Sequence, residues 1–138
     1  MSKEKLSNIK IKELDEKESK EFVKIFSDAK YGTGYKIFAA MLDGGYIGGI
    51  IINNDPVQEV YKKHNLKPEV AISFLFVLDK YREAGLGNKL LQRILKNYKK
   101  ICLSTSQGWS KPQAYHLYEK NGFEKVEEKG RTTFWYHN

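Results

Sequence analysis

Arg82, Gly85, Gly87 and Lys89 stand within eight residues of one another in "VLDKYREAGLGNKLL" (77–91), directly after the apolar run "VAISFLFVL" (70–78). A strand that gives way to a helix leaves the first helical N–H groups unpaired, and glycines let a ligand come within hydrogen-bonding distance of them. Gly85 and Gly87 supply backbone freedom, and Arg82 and Lys89 supply positive charge, so the chemistry this stretch suits is the cradling of an anion such as phosphate. Two familiar phosphate loops are excluded. A dinucleotide fingerprint needs a third glycine where Leu90 stands, and a P-loop needs Gly-Lys-Ser/Thr. The stretch also reads as a strand-to-helix turn that uses glycine for geometry alone.

Other chemistry is sparse. Cys102 is the only cysteine, so no internal disulfide forms, and no Cys/His spacing suggests zinc. His64, His116 and His137 stand apart and read as surface or packing residues; no metal is expected. The net charge of +7 is uneven. Residues 58–100 hold ten Lys/Arg against four acidic residues, while residues 1–57 hold nine of each. Such an excess points to a polyanionic partner, a phosphorylated cofactor or a nucleic acid, or in part to a solvated helix face.

The elements that must position these residues follow from pattern. At 138 residues with 41% hydrophobic content, the chain is expected to fold as one domain, residues 1–138. Its start lacks the apolar core of a signal peptide, and its longest apolar runs fall far short of the roughly 20 residues of a membrane helix, so a cytoplasmic protein without membrane contact is expected. "NIKIKEL" alternates as a first strand. Asp15 and Glu18 form a capping box for a helix carrying Phe22, Ile25, Phe26 and Ala29 that should end near "YGTG" (31–34). "YKIFAAML" and "YIGGIII" form a hairpin through "DGG". Residues 53–69 connect, with a helical turn after Pro56.

"VAISFLFVL" is apolar on both faces and belongs in the middle of a covered sheet. Leu90, Leu91, Ile94, Leu95 and Tyr98 mark a helical stripe, with Lys99 and Lys100 at its negative end. "ICLST" is a fifth strand. Ser110 and Gln113 suggest another capping box around Pro112, Asn121-Gly122 closes that helix, and "FEKVEE" with "TTFWYH" makes a last hairpin. The predicted class is α+β, a mixed and mostly antiparallel sheet flanked by helices.

"VLDKYREAGLGNKLL" resembles the acyl-CoA-binding loop of the GNAT superfamily of N-acetyltransferases, Arg/Gln-x-x-Gly-x-Gly/Ala after a central strand. "AYHLYEKNGFEKV" (114–126) is similar to the family's late helix ending in Tyr-x-x-x-Gly-Phe, here Tyr118, Gly122 and Phe123. The two motifs lie in the family's order and separation, and "DGGYIGGI" resembles the preceding strands. The resemblance implies the GNAT-like acyl-CoA N-acyltransferase fold and transfer of an acetyl group from acetyl-CoA to a primary amine of a small molecule or protein. It implies that the cofactor's pantetheine arm pairs with the main chain of Leu75, Phe76 and Val77 in a gap before "ICLST". Its pyrophosphate would rest on amides from Arg82 through Ala84, Gly85, Leu86 and Gly87 to Asn88, with Lys89 adding charge.

In that frame Tyr118 matches the tyrosine that faces the departing sulfur, and Tyr115, one turn earlier, is read as the core tyrosine. The strand 70–77 offers no carboxylate in its middle, so a water relay from Glu69 past Ser73 is the base expected from the residues present. Lys111 stands where relatives often place Asn, and Asp79 where Pro is common, a change expected to alter only the turn. Trp109, Phe134, Trp135 and Tyr136 read as acceptor-pocket residues or as core. Two alternatives use the same fold: acetylation of aminoacyl-tRNA, with Lys62, Lys63, Lys67, Lys96, Lys99 and Lys100 on phosphates, and a non-catalytic acyl-CoA sensor or nucleic-acid-binding module. A monomer or homodimer is expected.

Overall fold

Alternation in "KIKE" makes β1 (Lys10–Glu13) the first strand, in a computed structural model that describes residues 8–54, 59–106 and 112–138. Helix α1 (Glu16–Ile25) starts at the expected capping box: the Asp15 carboxylate accepts from Glu18 N–H (2.8 Å), and the Glu18 carboxylate accepts from Asp15 N–H (3.1 Å). The helix ends earlier than its apolar spacing predicts. Phe26 is its C-cap, so Ala29 is buried from the following turn, and Ile25 is exposed. β2 (Tyr35–Leu42) and β3 (Gly45–Asn53) form the hairpin, with Asp43 and Gly44 both at positive φ, the pair a type I′ turn requires.

A short helix α2 (Glu59–Lys63) precedes β4 (Val70–Val77). A 3-10 turn (Asp79–Ala84) then stands between strand and helix α3 (Leu86–Leu95), where the sequence predicted a direct passage. Helix α3 ends at Leu95, so Lys99 and Lys100 lie beyond its terminus and Arg93 is the basic residue of its last turn. β5 (Ile101–Ser106), α4 (Pro112–Lys120) and the hairpin β6 (Glu124–Lys129) and β7 (Thr132–His137) complete the order. The predicted capping residue Ser110, with Trp109 and Lys111, lies outside the described residues.

The strands form one seven-stranded sheet, β1-β2-β3-β4-β5-β7-β6, in which only the β4–β5 pair is parallel. Its faces carry separate apolar clusters. On one, α3 and α4 pack Leu90, Leu91, Ile94 and Tyr118 against Phe38, Ile50, Ile52, Val70, Ile72 and Val77. On the other, α1 sets Phe22 against Ile37, Ala39 and Ile51, and Gly49 admits that ring, since a Cβ there would meet Phe22 Cζ at 2.6 Å. Tyr61 of α2 closes the second face over Ala71, Cys102 and Tyr136.

Two irregularities set the course of β4 in its second half. Ile51 pairs with Phe74 and Ile52 with Ile72, which leaves Ser73 as the extra residue of a β-bulge. The bulge reverses the side-chain alternation: Val70 and Ile72 join the α3 face, and so do Leu75 and Val77, while Phe74 and Phe76 turn to the α1 face. Second, β4 and β5 pair only at Val70–Ile101 and Ala71–Cys102 and then part. β4 is therefore central in order, but its second half is not covered as predicted: Phe74, Leu75 and Phe76 are half-exposed.

Candidate active site

Beyond Ala71 the sheet is a fork with β4 on one arm and β5 on the other. Leu78 N–H donates to the Ile47 carbonyl (2.9 Å), so even-numbered residues of this half face β3. Main-chain groups alternate along a strand, which turns those of Leu75 and Val77 into the fork. The Val77 carbonyl is occupied, accepting from Arg82 Nε at 2.8 Å. The other fork-facing groups of Leu75 and Val77 have no partner strand among the described residues, and the Phe76 main chain serves the ladder to β3.

The loop after the fork is clipped in place. Arg82 bonds the Val77 carbonyl, pairs with Asp79 through Nη1 at 2.6 Å, and lays its guanidinium over the Phe76 ring at 5.3 Å. Its side chain holds the loop, and the positive charge the sequence assigned to it is shared with Asp79. Asp79 does more than alter the turn, because it completes this clip.

Gly85 caps α3 in the left-handed region (φ 73°), and nothing lies within 4 Å of a Cβ placed there. Ala84 is half-buried, and Leu86 anchors the helix start in the core at 1% exposure. Lys89 N–H returns to the Gly85 carbonyl (3.2 Å), whereas the amides of Leu86, Gly87 and Asn88 precede the first intrahelical bond and have no acceptor within the helix. Gly87 has a helical backbone, and a Cβ there would make only an ordinary contact with Leu117 at 3.6 Å. The Asn88 Oδ1 accepts from Asn121 Nδ2 (2.9 Å), which also donates to the Leu117 carbonyl (2.8 Å), tying the start of α3 to the end of α4. Lys89 projects an exposed ammonium beside them.

Tyr118 is buried, against Phe123 and Trp135 at 5.8 and 6.1 Å, in the cluster that contains Leu75 and Val77. Its hydroxyl has no hydrogen-bond partner among the described residues, and burial pushes it up to about 12. Tyr115 is the less buried of the two, reversing the expectation that it is the core tyrosine. Trp135, fully buried, and Tyr136 are core. Burial pushes the Cys102 thiol up to about 12, an inert packing group.

Glu69 lies at the closed end of β4. Its carboxylate accepts from Lys100 N–H (3.3 Å), and its own N–H donates to the Lys100 carbonyl (2.7 Å). Leu75 is six residues on, roughly 20 Å along a strand. Ser73 Oγ donates to the Ile51 carbonyl at 3.4 Å within the bulge. The relay expected between them runs along a strand that uses both groups to hold its own shape. The basic excess is divided too: Lys67, Lys99 and Lys100 lie within three residues of the starts of β4 and β5, and Lys96 follows the end of α3, whereas Lys89 stands in its first turn.

On the α1 face an open groove of about 330 Å³ runs beside this half of β4, over Phe26, Phe74 and Phe76, with Asp28 and Leu78 on its rim. No signal in the sequence marks it, because its aromatic floor reads as core. No group of three or more His, Cys, Asp or Glu residues placed to hold a metal occurs among the described residues, and no helix there is long and apolar enough to cross a membrane.

Three comparisons bear on this arrangement. The family model described as an acetyltransferase (GNAT) domain matches residues 33–125. A search of curated proteins found no match. Among solved structures, Naa50 of Arabidopsis thaliana in complex with the bisubstrate analogue CoA-Ac-MVNAL is similar at 18% identity, over 95% of this chain and 98% of that one, with a TM-score of 0.68. The ribosomal-protein-S18-alanine N-acetyltransferase of Escherichia coli is 18% identical over 94% and 92%, with a TM-score of 0.65. A GNAT family acetyltransferase of Elizabethkingia anophelis with acetyl-CoA bound is 20% identical over 94% and 96%, with a TM-score of 0.59.

Proposed function

Because the chain belongs to the GNAT family of acetyltransferases, we propose that it carries an acetyl group from acetyl-CoA to a primary amine that attacks the thioester directly. The observation that carries this reading is the fork, which presents main-chain groups of Leu75 and Val77 to the arm of a ligand by strand addition. The first amides of α3, at Leu86, Gly87 and Asn88, have no acceptor within the helix and suit its pyrophosphate, with Lys89 adding charge. The fold leaves room for a side chain at Gly87, so ligand approach is the use a glycine has there. Arg82 serves by holding the loop. The relatives solved with acetyl-CoA or a CoA analogue bound support the choice of co-substrate.

In the reaction the amine nitrogen forms the amide bond, the C–S bond breaks, and the sulfur leaves as thiolate. Tyr118, at about 12, is a weaker acid than a thiol near 8.5, so full proton transfer is uphill by about 5 kcal/mol. Its idle hydroxyl therefore donates a hydrogen bond as charge develops on sulfur. β4 holds no carboxylate past Glu69, so this strand supplies no base and an amine that arrives neutral is the one best able to attack.

Calorimetric titration with acetyl-CoA tests the reading. Micromolar binding that is lost in Gly85→Asp, which adds bulk and negative charge at the helix start, is the expected result. No heat and no thermal stabilisation at millimolar acetyl-CoA overturns it.

A further inference from the structure

Among the described residues two large apolar side chains are well exposed, Ile25 at 63% and Leu78 at 37%, and both line the groove on the α1 face. Below them Phe26, Phe74 and Phe76 form a continuous aromatic floor, with ring centroids 5.6 Å apart for Phe26 and Phe76 and 6.2 Å for Phe74 and Phe76. Phe74 and Phe76 reach this face only because the bulge at Ser73 reverses the alternation of β4. They flank Leu75, whose main chain opens into the fork. The groove therefore abuts the place where the thioester would lie. Asp28 stands exposed on its rim with no ion pair among the described residues, in a chain of net charge +7.

We propose that this groove receives the first side chain of a polypeptide whose free α-amino group is the acetyl acceptor, and that a bulky apolar side chain suits it best. The proposal rests on the acetyl-transfer reading above. An exposed aromatic floor is the chemistry that recognises an apolar side chain, and an unpaired carboxylate at its rim draws in a cationic chain terminus. The groove is open to solvent; a small ligand ending there stays half-exposed, whereas a chain running onward makes further contacts.

Proton affinity points the same way. With no carboxylate on β4 past Glu69, the acceptor's own acidity sets how much of it arrives from solution as neutral amine. At pH 7 about one α-amino group in seven is neutral, taking 7.8 for its pKa, against about one lysine ε-amino group in 2,500. The neutral nitrogen forms the amide bond as the C–S bond breaks, and the proton it loses balances the one the thiolate takes up.

The test offers the full chain acetyl-CoA and peptides identical except for the first residue (Leu, Phe, Gly or Asp). An α-blocked peptide with one lysine and free phenethylamine complete the set, with thiol release and the mass of the modified residue as readouts. The expected result is acetylation of the α-amino group, with kcat/KM at least about tenfold higher for Leu or Phe than for Gly. That preference should fall several-fold in Ile25→Ser, with the melting temperature and acetyl-CoA affinity unchanged. Equal rates for all first residues, modification of the lysine instead, phenethylamine as good as the peptides, or a preference intact in Ile25→Ser overturns the proposal. Binding of acetyl-CoA without acetylation of any peptide overturns it alone, whereas no binding removes the acetyl-transfer reading and the proposal together.

Discussion

The end of the sheet where β4 and β5 still pair and the end where they part are built from the same strands and treat their polar groups in opposite ways. At the closed end, buried Tyr61 donates its hydroxyl toward two carbonyls, Leu103 at 3.0 Å and Trp135 at 2.9 Å, and so stitches β5 to β7 from α2. Glu69 is held there by Lys100. At the fork, the Tyr118 hydroxyl, two main-chain N–H groups of β4 and the first amides of α3 have no such partners among the described residues. The Tyr118 hydroxyl is not among the fully buried side-chain atoms left without a partner, so it stays within reach of water or a ligand. The contrast marks the fork as a region whose partners come from outside the chain.

Proline tests the contrast most severely. Val70→Pro deletes a fully buried side chain and the N–H that faces the Lys100 carbonyl, in the middle of a seven-stranded sheet. A cost of about 3 kcal/mol or more is expected, read as a large fall in the urea midpoint. Leu75→Pro, on the same strand, deletes an N–H that no described strand uses. It should keep the fold and lose about tenfold in acetyl-CoA affinity, the worth of about one main-chain hydrogen bond. Equal destabilisation by both variants would mean that the arms of the fork pair in solution.

The two tyrosines give a reciprocal pair with smaller effects. Tyr118→Phe removes a hydroxyl with no partner among the described residues. Stability should change by no more than about 0.5 kcal/mol while kcat falls about 100-fold. Tyr61→Phe leaves two carbonyls without their donor and should cost about 1–3 kcal/mol with kcat unchanged. Stability from denaturant titration and turnover from thiol release separate them; a Tyr118→Phe variant that turns over normally removes the hydrogen bond to sulfur from the mechanism.

How far this division was legible depends on the range of each signal. The capping box at Asp15, the Asp43-Gly44 turn and the glycines after β4 are local, and each stands where the sequence puts it. The fork itself entered only through resemblance, since "VAISFLFV" and "ICLSTS" carry no mark of where their pairing stops. The bulge was hidden because a strand apolar on both faces shows no parity to break. Ile25 and Phe26 both keep a helical spacing from Phe22, although α1 ends between them, so the exposed one and the buried one looked alike. The clip from Asp79 to Arg82 was readable, being opposite charges three residues apart, but its target at the Val77 carbonyl is tertiary.

A milder test acts through pH on the contacts between α2 and β6. Hydrogen bonds from Lys63 first and from His64 hold the Glu127 carboxyl down at about 2, joining α2 to β6. Its Oε2 lies 3.5 Å from Lys129 Nζ without hydrogen-bond geometry, so the pull comes mainly through Oε1. A carboxyl whose folded pKa is depressed contributes stability above its unfolded pKa, near 4.3, and loses it as pH falls toward 2. The melting temperatures of the wild type and Glu127→Gln should therefore differ at pH 6 and converge across that window. A difference that persists unchanged to pH 2 would deny the charge its role.

The smallest expected effect bears on the one candidate whose sequence role and structural position conflict. Glu69 was the carboxylate the sequence offered as a base for β4, yet its Oε1 is already an acceptor for Lys100 N–H, on the half of β4 where the strands are closed. A glutamine carbonyl accepts that bond equally well, so Glu69→Gln should leave stability within about 0.5 kcal/mol and the pH–rate profile superimposable on the wild type. Loss of the alkaline rise in rate would show that a proton travels from the fork to the closed end, and the two ends of β4 would then be one functional unit. An unchanged profile leaves deprotonation to the acceptor and water, the condition under which a weakly basic α-amino group outcompetes a lysine.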